Sequence, residues 1–587
     1  MITSLPPGIV LMAGALLVAL LRGRMRQVAL LVLPVLSLIH LLLLPHGTAL
    51  TREAYGVQLT LVHIDKLSLV WGYIFHIAAF VSALYALHVK DTVQHVSALL
   101  YVGAAIGAVF SGDLVTLFVY WELTAISSVF LIWASRSEQA YRAGMRYLLV
   151  QVGSGVVLLA GIVLHYQATG SVDFLEPFFQ SPAVLANFPF ANQGLGPVLI
   201  FLAFGIKAAF PLLHNWLTDA YPEATPTGTV FLSAFTTKLA IYTLARGFPG
   251  MECLVWIGAV MTAFPIFFAV IENDLRRVLA YSLNNQLGFM VVGIGIGSEL
   301  ALNGTAAHAF AHILYKALLF MSMGAVLYRT GTVKGSELGG LYKSMPWTTG
   351  FCIIGAASIS AFPLFSGFVT KSLILTAVAE EHNLVVFLVL LFASAGVFHH
   401  SGIKIPFFAF FAHDSGKRVK EAPWNMLLAM GIGSALCIGI GVWPQPLYDI
   451  LPYDVDYHAY SVTHVITQLQ LLMWSALAFT VLNQWGIYPP ELRSVNLDTD
   501  WLYRRPFRRS VPGELSAVER GVRWLGHVRG AIDRTVLLLL QRVLGGIRMV
   551  SGPDGISRRT ASIGAMAVWV AILLTGYLVF YYLSSLR

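Results

Sequence analysis

Apolar segments long enough to cross a membrane follow one another along the whole chain, separated by short polar stretches. An α-helix needs about 20 such residues to span the hydrocarbon core of a bilayer. Charged residues make up only 11% of the 587 residues, whereas a soluble domain carries roughly 25%. A chain this long and this apolar cannot cover a water-soluble surface. The sequence therefore predicts an all-α polytopic membrane protein.

The apolar segments predict about 16 helices, each near the length that a bilayer requires. We expect about 14–16 transmembrane helices in all, some of them broken. The predicted spans are residues 6–22, 27–44, 65–88, 93–111, 113–134, 144–166, 195–217, 226–246, 253–271, 278–298, 303–328, 349–378, 383–405, 425–445, 462–485 and 562–585.

Basic residues predict the orientation of these helices, because loops rich in Lys and Arg stay on the cytoplasmic side. The first apolar run is followed, not preceded, by a basic cluster, which is the reverse of a secretory signal. We therefore expect a retained first helix and both termini on the outer side of a bacterial cytoplasmic (inner) membrane. The loops predicted inside carry Arg22, Arg24, Arg26, Arg136, Arg142, Arg276, Arg277, Lys334, Lys343, Lys417, Arg418 and Lys420. The loops predicted outside carry Asp173, Glu176, Glu299, Glu380, Glu381, Asp449, Asp454 and Asp456, with Asp219 and Glu223 as exceptions inside.

Charge and cysteine usage narrow the classes of ligand. The net charge of +8 lies in alternate loops, where it sets topology, so we expect no nucleic-acid partner. Cys253, Cys352 and Cys437 are isolated in apolar segments. Their spacing predicts inert thiols and neither an iron–sulfur cluster nor a zinc site. We expect no cofactor and no metal.

Three ionisable residues fall near the middle of predicted spans. Glu122 lies about nine residues past Asp113, where its span begins, and Lys207 and Lys238 lie near the centres of 195–217 and 226–246. A charge at this depth costs roughly 2.5–3.5 kcal/mol on insertion scales, so it marks a functional site by default. The alternative is a set of structural ion pairs.

His308, His312 and Lys316 are spaced four residues apart on one predicted helix and therefore share a face. Imidazoles titrate near neutral pH and can pass protons. A histidine pair of this spacing can also bind a metal, but Lys316 would repel a cation and no carboxylate or thiol is near in sequence. We favour a proton relay; histidines satisfied within the core are the other alternative.

Helix-breaking residues accompany two of the buried lysines. Pro211 follows Lys207, and Pro363 and Gly367 precede Lys371. Proline removes a helical hydrogen bond and frees carbonyl groups. Interrupted helices in comparable positions of two halves are typical of inverted-repeat transporters with sites in mid-membrane. We expect spans four to eight and nine to thirteen to be two inverted five-helix repeats.

Further polar residues lie toward the C-terminus. His399, His400 and Lys404 close the predicted span 383–405 and are candidates for an exit path; contact with lipid headgroups is the alternative. Within the Arg-rich stretch 486–561, apolar residues recur at helical spacing between 518 and 547. This pattern predicts an amphipathic helix in the inner membrane interface, or a surface helix packed on a soluble partner.

Several strings, in this order across about residues 65–410, resemble the antiporter-like subunits shared by Mrp-type cation/proton antiporters, respiratory complex I and membrane-bound hydrogenases. As a set they are specific, although each alone is weak. The strings are Trp121-Glu122-Leu123, Lys207–Leu217, Ala224-Thr225-Pro226, Thr237-Lys238, Asn273–Ser282, His308 to His312 with Lys316–Phe320, and Ser366-Gly367-Phe368 with Lys371.

The resemblance implies a proton path gated by an ion pair. Glu122 would pair with Lys207 on the broken seventh helix. When the pair separates, the lysine loses the charge that stabilises its protonated form and passes its proton on. Lys238, His308 and His312 would continue the path, and Lys371 would lie at the second broken helix. The chain departs from the family at Ser372, where an acidic residue is common, and at Asn284 and Asn285.

These inferences divide the chain into six parts. They are the N-terminal helices (1–92), the first inverted repeat (93–250), the second inverted repeat (251–410), the C-terminal core helices (411–485), the basic segment with the amphipathic helix (486–561) and a final transmembrane helix (562–587). Each repeat is expected to hold one proton half-channel. The basic segment resembles, in shorter form, the lateral helix of the most distal subunit of complex I.

We therefore expect a proton-translocating membrane subunit of a multi-subunit cation/proton (Na+/H+) antiporter, most similar to the Mrp D subunit. Its partners would be other subunits, the lipid bilayer and protons, with sodium left open. The alternatives are a distal pump subunit of a complex I-like or hydrogenase-like machine, the proton-path subunit of an inorganic carbon uptake system, and a scaffold that transports nothing. Without flavin, quinone or iron–sulfur motifs, redox chemistry would belong to partners.

Overall fold

The computed structural model describes residues 5–47, 49–54, 56–178, 194–489, 491–492 and 496–504. The chain as far as Trp501 forms one compact unit, and a second unit begins at Leu502. The amphipathic helix predicted between 518 and 547 and the span predicted at 562–585 lie outside the described residues.

The described chain is mostly helical. It begins with α1 (Ile9–Leu20), α2 (Gly23–Leu42), β1 (Ala49–Ala54), β2 (Val57–His63) and α3 (Lys66–Tyr85). Then follow α4 (Thr92–Val109), α5 (Leu114–Trp133), α6 (Glu138–Thr169), α7 (Leu195–Ala208), α8 (Asn215–Ala220), α9 (Gly228–Ala234) and α10 (Thr236–Gly247).

The second half of the unit continues with α11 (Glu252–Ile271), α12 (Leu275–Ile296), α13 (Glu299–Thr330), α14 (Pro346–Ile359), α15 (Ser366–Glu380) and α16 (Leu384–Val397). The helix α16 runs on through π-helical turns at Phe398–Ile403 and Phe407–Phe411, with Lys404–Pro406 between them. The remaining helices are α17 (Trp424–Val442), α18 (Gln445–Tyr448), α19 (Val462–Gln484) and α20 (Asp500–Arg504).

Every predicted span from 6–22 to 462–485 contains helical residues, so the polytopic helical fold is confirmed. Among the described residues, 11 helices are long and apolar enough to cross a membrane, and α1, α7 and α14 are shorter apolar helices. The chain is therefore a multi-pass membrane protein. The hairpin of β1 and β2 was not predicted; its antiparallel strands contact the α4–α5 loop, where Gly112 N donates to Thr60 O at 2.9 Å.

The helices α6 and α13 are longer than predicted, at 32 residues each. The side chains of Ser137 and Ser298 accept hydrogen bonds from main-chain amides of the first turn, which caps each N-terminus. Gly170 and Gly331 end the helices in the left-handed conformation, which a residue without a side chain adopts easily. Local caps, not apolar length, therefore set these boundaries.

Two groups of five membrane crossings repeat the same plan. One interval of 161 residues separates the first residue of α5 from that of α12 (Leu114 and Leu275), and the first residue of α6 from that of α13 (Glu138 and Glu299). In each group the next crossing is broken, as α7–α8 and as α14–α15. Because each group has an odd number of crossings, the second runs through the membrane in the opposite direction to the first.

The two breaks share the sequence Ala-Phe-Pro-Leu, at 209–212 and at 361–364. Its first and last residues have positive φ in both places: 62° and 70° at Ala209 and Leu212, and 56° and 74° at Ala361 and Leu364. Non-glycine residues adopt this conformation rarely and at a cost. The same backbone device therefore interrupts both helices.

Loops on one side of the unit contact one another, and we call it the basic side. Gly335 N donates to Asn273 O at 2.9 Å, and the buried Arg276 guanidinium donates to Pro222 O and Ala224 O, both at 2.9 Å. On the opposite side Gly250 N donates to Ile294 O at 2.8 Å. This grouping of loops matches the predicted alternation of charge.

One acidic exception to that alternation has a basic partner. Arg146 of α6 lies 2.7 Å from the carboxylate of Asp219 on the basic side.

Burial separates the helices into central and peripheral ones. The apolar stretch of the α9–α10 crossing is completely buried inside the protein, and 94% of the apolar stretch of α13 is buried. Only 17% of the apolar stretch of α19 is buried. The functional side chains predicted on α10 and α13 therefore lie in the protein interior.

Candidate functional site

Five lysines are 1% exposed or less inside the helical bundle: Lys207, Lys238, Lys316, Lys371 and Lys404. His308, His312 and His400 are completely buried among them. In the described part of the chain, only Lys404 of these five lysines has a carboxylate within ion-pair distance. The others bond to main-chain carbonyls and hydroxyls. We call this set, together with Glu122 and His399, the ionisable axis.

Lys207 lies in the last turn of α7, directly before the first helix break. Its ammonium donates to Trp121 O at 3.0 Å and to Thr124 Oγ1 at 2.9 Å, and it lies 4.1 Å from the centre of the Trp121 ring. The carboxylate of Glu122 points elsewhere, and its buried Oε1 has no hydrogen-bond partner among the described residues. The expected direct pair of Glu122 and Lys207 is therefore open in this conformation, because α5 offers the ammonium other acceptors.

Lys238 lies in the first turn of α10, three residues after the interruption at Phe235. Its ammonium donates to Ser233 O at 2.6 Å. Ser233 is the last residue but one of α9. Because the helix is interrupted there, no described amide of the next turn donates to the Ser233 carbonyl. The indole of Trp71 donates to the carbonyl of Lys238 at 2.9 Å and fixes this turn.

The two histidines of α13 share a cluster with a tyrosine. His308 Nδ1 lies 3.2 Å from Thr370 Oγ1, and its Nε2 lies 3.3 Å from the hydroxyl of Tyr315. Tyr315 donates to Gln286 Oε1 at 3.1 Å. The ring of His312 lies 5.3 Å from that of Tyr315, and neither of its nitrogens has a described partner. His308 thus has both ring nitrogens close to a hydroxyl group, whereas His312 contacts the cluster only through its ring.

A row of short hydrogen bonds connects Lys316 on α13 to the π-helical turn that continues α16. Lys316 Nζ donates to Ser282 Oγ at 2.8 Å, Ser401 Oγ donates to Ser282 Oγ at 2.7 Å, and His400 Nδ1 lies 2.9 Å from Ser401 Oγ. Lys316 and His400 are conspicuous in the sequence, but the serines between them were missed. Their only signal in the sequence is a hydroxyl inside an apolar helix.

Lys371 lies in the first turns of α15, beyond the second break. Its ammonium donates to Ile359 O at 3.1 Å and lies 5.0 Å from the centre of the Phe289 ring. Ile359 is the last residue of α14, so its carbonyl is free to accept. A side chain at Gly367 would overlap the carbonyl of Ser358, so only glycine allows this close return of the chain.

Lys404 lies deeper than the sequence indicated. The helix α16 was expected to end near 405, but its π-helical turns carry it on to Phe411, and the side chain of Lys404 is completely buried. Its ammonium donates to Ala269 O at 3.2 Å and to Val270 O and Glu272 O, both at 2.7 Å. Contact with lipid headgroups is therefore wrong for His400 and Lys404.

Three of the five lysines of the axis follow one pattern. Where a helix breaks or ends, its last carbonyls lose their helical donors. Lys238, Lys371 and Lys404 each donate to such a carbonyl. Non-helical backbone within a membrane is tolerated where it is buried in protein, and it supplies ion-binding carbonyl groups in broken-helix transporters. In this arrangement neutral carbonyl oxygens, not carboxylates, are the acceptors for the ammonium groups of Lys238 and Lys371.

The chain matches known membrane proteins. Residues 111–399 match the family described as NADH:quinone oxidoreductase/Mrp antiporter, TM. The chain is 31% identical over 402 residues to the A subunit of the Na(+)/H(+) antiporter of Alkalihalophilus pseudofirmus, covering 62% of this chain and 48% of that protein. It is 29% identical over 537 residues to the corresponding A subunit of Bacillus subtilis, covering 82% and 65%. The chain thus spans half to two thirds of these relatives.

A solved structure has the same fold. A chain of the Mrp complex from Dietzia sp. DQ12-45-1b superposes with a TM-score of 0.76 at 23% identity, over 96% of this chain and 65% of that chain. The family match runs from the loop before α5 to the π-helical turn of α16, and so includes most of both five-helix groups and most of the ionisable axis. Through residues 111–399, the chain therefore belongs to the NADH:quinone oxidoreductase/Mrp antiporter transmembrane family.

Proposed function

We propose that the chain is a proton-translocating subunit of a multi-subunit, Mrp-type cation/proton antiporter and that protons move along its ionisable axis. One observation carries the proposal. Lys207, Lys238, Lys316 and Lys371 are buried inside predicted membrane spans, and no carboxylate in the described part of the chain lies within ion-pair distance of them. A buried ammonium is costly and a buried unpaired one more so. Four of them in one row are better explained by function than by stability.

The path has two halves, one in each five-helix group. In the first (93–250), Lys207 alternates between the acceptors Trp121 O and Thr124 Oγ1 and the carboxylate of Glu122. Lys238 then connects this half to His312 and His308 at the centre. In the second (251–410), protons pass by Lys316 or Lys371 toward His400, His399 and Lys404. Because Lys207 lies directly before one helix break and Lys371 donates to a carbonyl at the other, movement at Pro211, Pro363 or Gly367 changes their partners.

The surroundings of the chain follow from the same proposal. The basic side faces the cytoplasm under the positive-inside rule, which places the N-terminus outside. Relatives and structural neighbours include members of multi-subunit membrane complexes, so we propose that this chain also works beside other subunits. The relatives described above are A subunits, and we therefore propose the antiporter-like module that the A and D subunits share. The transported cation is sodium in those relatives' names.

The proposal is tested on the complex purified through a tag on this chain, so that native partners accompany it. In liposomes that contain a pH-sensitive dye, a pH step should dissipate through the wild type. Glu122→Gln and Lys238→Ala should each reduce the flux at least about 100-fold with normal yield of complex, as expected for loss of an essential proton carrier. A scaffold would instead show reduced yield and unchanged flux per complex. Flux that does not respond to sodium would exclude sodium/proton antiport.

A second function is favoured by the family match alone, since that family also includes NADH:quinone oxidoreductase proteins. A distal pump subunit of such a machine would use the same axis. The purified partners distinguish the two: flavin- or iron–sulfur-containing partners in the tagged complex indicate redox-driven pumping, and small membrane partners alone indicate antiport.

A further inference from the structure

The segment after the last described membrane helix returns to the bundle on the basic side. We call residues 488–489, 491–492 and 496–501 the C-terminal strap. Asp498 accepts a hydrogen bond from the hydroxyl of Tyr281 at 2.7 Å, and its Oδ2 lies 3.0 Å from Nε2 of His214. The hydroxyl of Thr499 donates to Asn215 Oδ1. The strap therefore contacts α12 in the second repeat and the broken helix of the first.

A second group of contacts brings the strap to Lys404. Glu491 Oε1 lies 2.9 Å from Lys404 Nζ, and both side chains are buried, at 5% and 0% exposure. The amide of Asn496 donates to Glu272 Oε2 at 3.0 Å. Lys404, Glu272 and Tyr488 are the ionisable groups that influence Glu491. Burial raises the pKa of Glu491, and the Lys404 ammonium opposes that rise.

The second repeat has no carboxylate of its own in the membrane interior. The carboxylates of residues 251–411, all of which are described, stand at helix ends or in loops: Glu252, Glu272, Asp274, Glu299, Glu337, Glu380 and Glu381. The first repeat, in contrast, holds Glu122 within α5. Ser372 follows Lys371, so no acid is next to that lysine in sequence. The strap thus supplies the only buried carboxylate that pairs with a lysine of the axis among the described residues.

Hydrogen bonds already lead from the centre of the bundle toward this pair. Lys316, Ser282, Ser401 and His400 form the row described above, and Lys404 lies four residues after His400 on the same helical segment. Residues four apart on a helix are neighbours on adjacent turns. Glu491 lies at the end of this row, on the basic side.

We propose that Glu491 is the proton-carrying residue at the basic-side end of the second half path, supplied by the C-terminal strap and not by the membrane helices. In the transfer step the N–H bond of the Lys404 ammonium breaks and an O–H bond forms on the Glu491 carboxylate. The lysine is left neutral, and the carboxyl group then releases its proton to water. This inference rests on the proposed function, because it presupposes proton flow along the axis.

The test uses the tagged complex and the dye-loaded liposomes. Glu491→Gln keeps the shape of the side chain and should reduce flux per complex about tenfold or more, while Glu491→Asp, which keeps the carboxyl group, should retain at least about half. The matched control is Glu421→Gln. Glu421 also lies on the basic side, but its carboxylate accepts from Thr348 Oγ1 at 2.6 Å and from Trp347 N at 2.9 Å, and no lysine among the described residues lies within ion-pair distance of it. The control should stay within about twofold of the wild type.

Two outcomes overturn the inference alone. One is Glu491→Gln with normal flux beside a Glu122→Gln variant that has lost it. The other is a lower yield of complex with unchanged flux per complex, which is the result of a strap that only holds helices together. If Glu122→Gln and Lys238→Ala also leave flux intact, the proposed function fails and takes this inference with it.

A second measurement needs no variant and covers the case in which Glu491→Gln does not assemble. A hydrophobic carbodiimide adds to buried carboxyl groups that become protonated. Mass spectrometry of the treated wild-type complex should find the adduct on Glu491 in proportion to the loss of flux. An unmodified Glu491 in a preparation whose Glu122 is modified would contradict the proposal.

Discussion

The carboxylate of Glu122 lies directly against the Cα of Gly155 on α6, in the space that any side chain at position 155 would fill. Gly155→Ala should therefore displace the carboxylate and disturb its exchange with Lys207. We expect proton flux per complex to fall about tenfold, since a displacement of about 1 Å in a reacting group costs up to 100-fold in rate.

Gly153 provides the matched control for this change. It lies on the same helix, and a Cβ there would have no atom of another described element within 4 Å. Gly153→Ala should leave flux unchanged, because it adds the same helix-favouring methyl group in open space. Equal effects of the two substitutions would show that helix propensity, not the position of Glu122, is responsible.

The serines between Lys316 and His400 provide a second prediction. Ser401→Ala removes the hydroxyl that bonds both Ser282 and His400, at 2.7 and 2.9 Å. If protons follow this row, flux per complex should fall about fivefold or more, and Ser401→Thr should restore part of it.

The control for the hydroxyl is Ser322→Ala. Ser322 is also buried, but it donates to the carbonyl of Leu318 in its own helix at 2.9 Å and stands outside the row. Its loss should change flux by less than twofold. Normal flux in Ser401→Ala would indicate that protons cross the second half path by Lys371 instead.

The strap should stay attached in mild acid. Burial by itself would raise the pKa of Asp498, but hydrogen bonds and charge from His214 and the hydrogen bond from Tyr281 lower it to about 2. A free aspartate titrates near about 3.9. Because the folded pKa is the lower one, the stabilisation by Asp498 is complete above that value and is lost only as the pH falls toward 2.

Hydrogen exchange of the amides of 496–501 checks this expectation. After correction for the intrinsic rates, protection should be constant from pH 8 to about pH 4.5. Asp498→Asn should increase exchange about tenfold or more, the equivalent of about 1.5–3 kcal/mol for a hydrogen bond to a charged group. The exposed Asp449 supplies the control, since Asp449→Asn should have no effect on this segment. Protection that already decreases between pH 7 and 5 would contradict the assignment to Asp498.

The sequence predicted the helices well, because membrane spans depend on the local sum of apolar residues. It missed the caps that extend α6 and α13 and the hairpin of β1 and β2, which depend on single side chains and on contacts with α4 and α5. The string Ala-Phe-Pro-Leu occurs twice and could have indicated the repeat. The positive φ of Ala209 and Ala361 could not be read from it, since alanine has no preference for that conformation.

For the candidate site, the sequence identified the costly residues but not their partners. Lys207, Lys238 and Lys371 are conspicuous because a charge in an apolar helix is rare. Ser282, Ser401 and Glu491 are ordinary in their own segments. They acquire a role only because the fold brings distant residues together, Ser401 to Ser282 and Glu491 to Lys404. The proton-path assignments of the axis stay predictions until flux is measured.

The close contact of α11 and α12 has a consequence for biosynthesis. A Cβ at Gly288 would lie 2.6 Å from Gly258 O, so the two backbones touch. With Arg276, Asn284 and Gln286 in its sequence, α12 is not among the described helices that are long and apolar enough to cross a membrane. Gly258→Leu should therefore leave α12 outside the membrane, as labelling of a cysteine placed at its end would show. We therefore expect α11 and α12 to insert into the membrane as one hairpin, with α11 as the partner that carries α12 into the lipid.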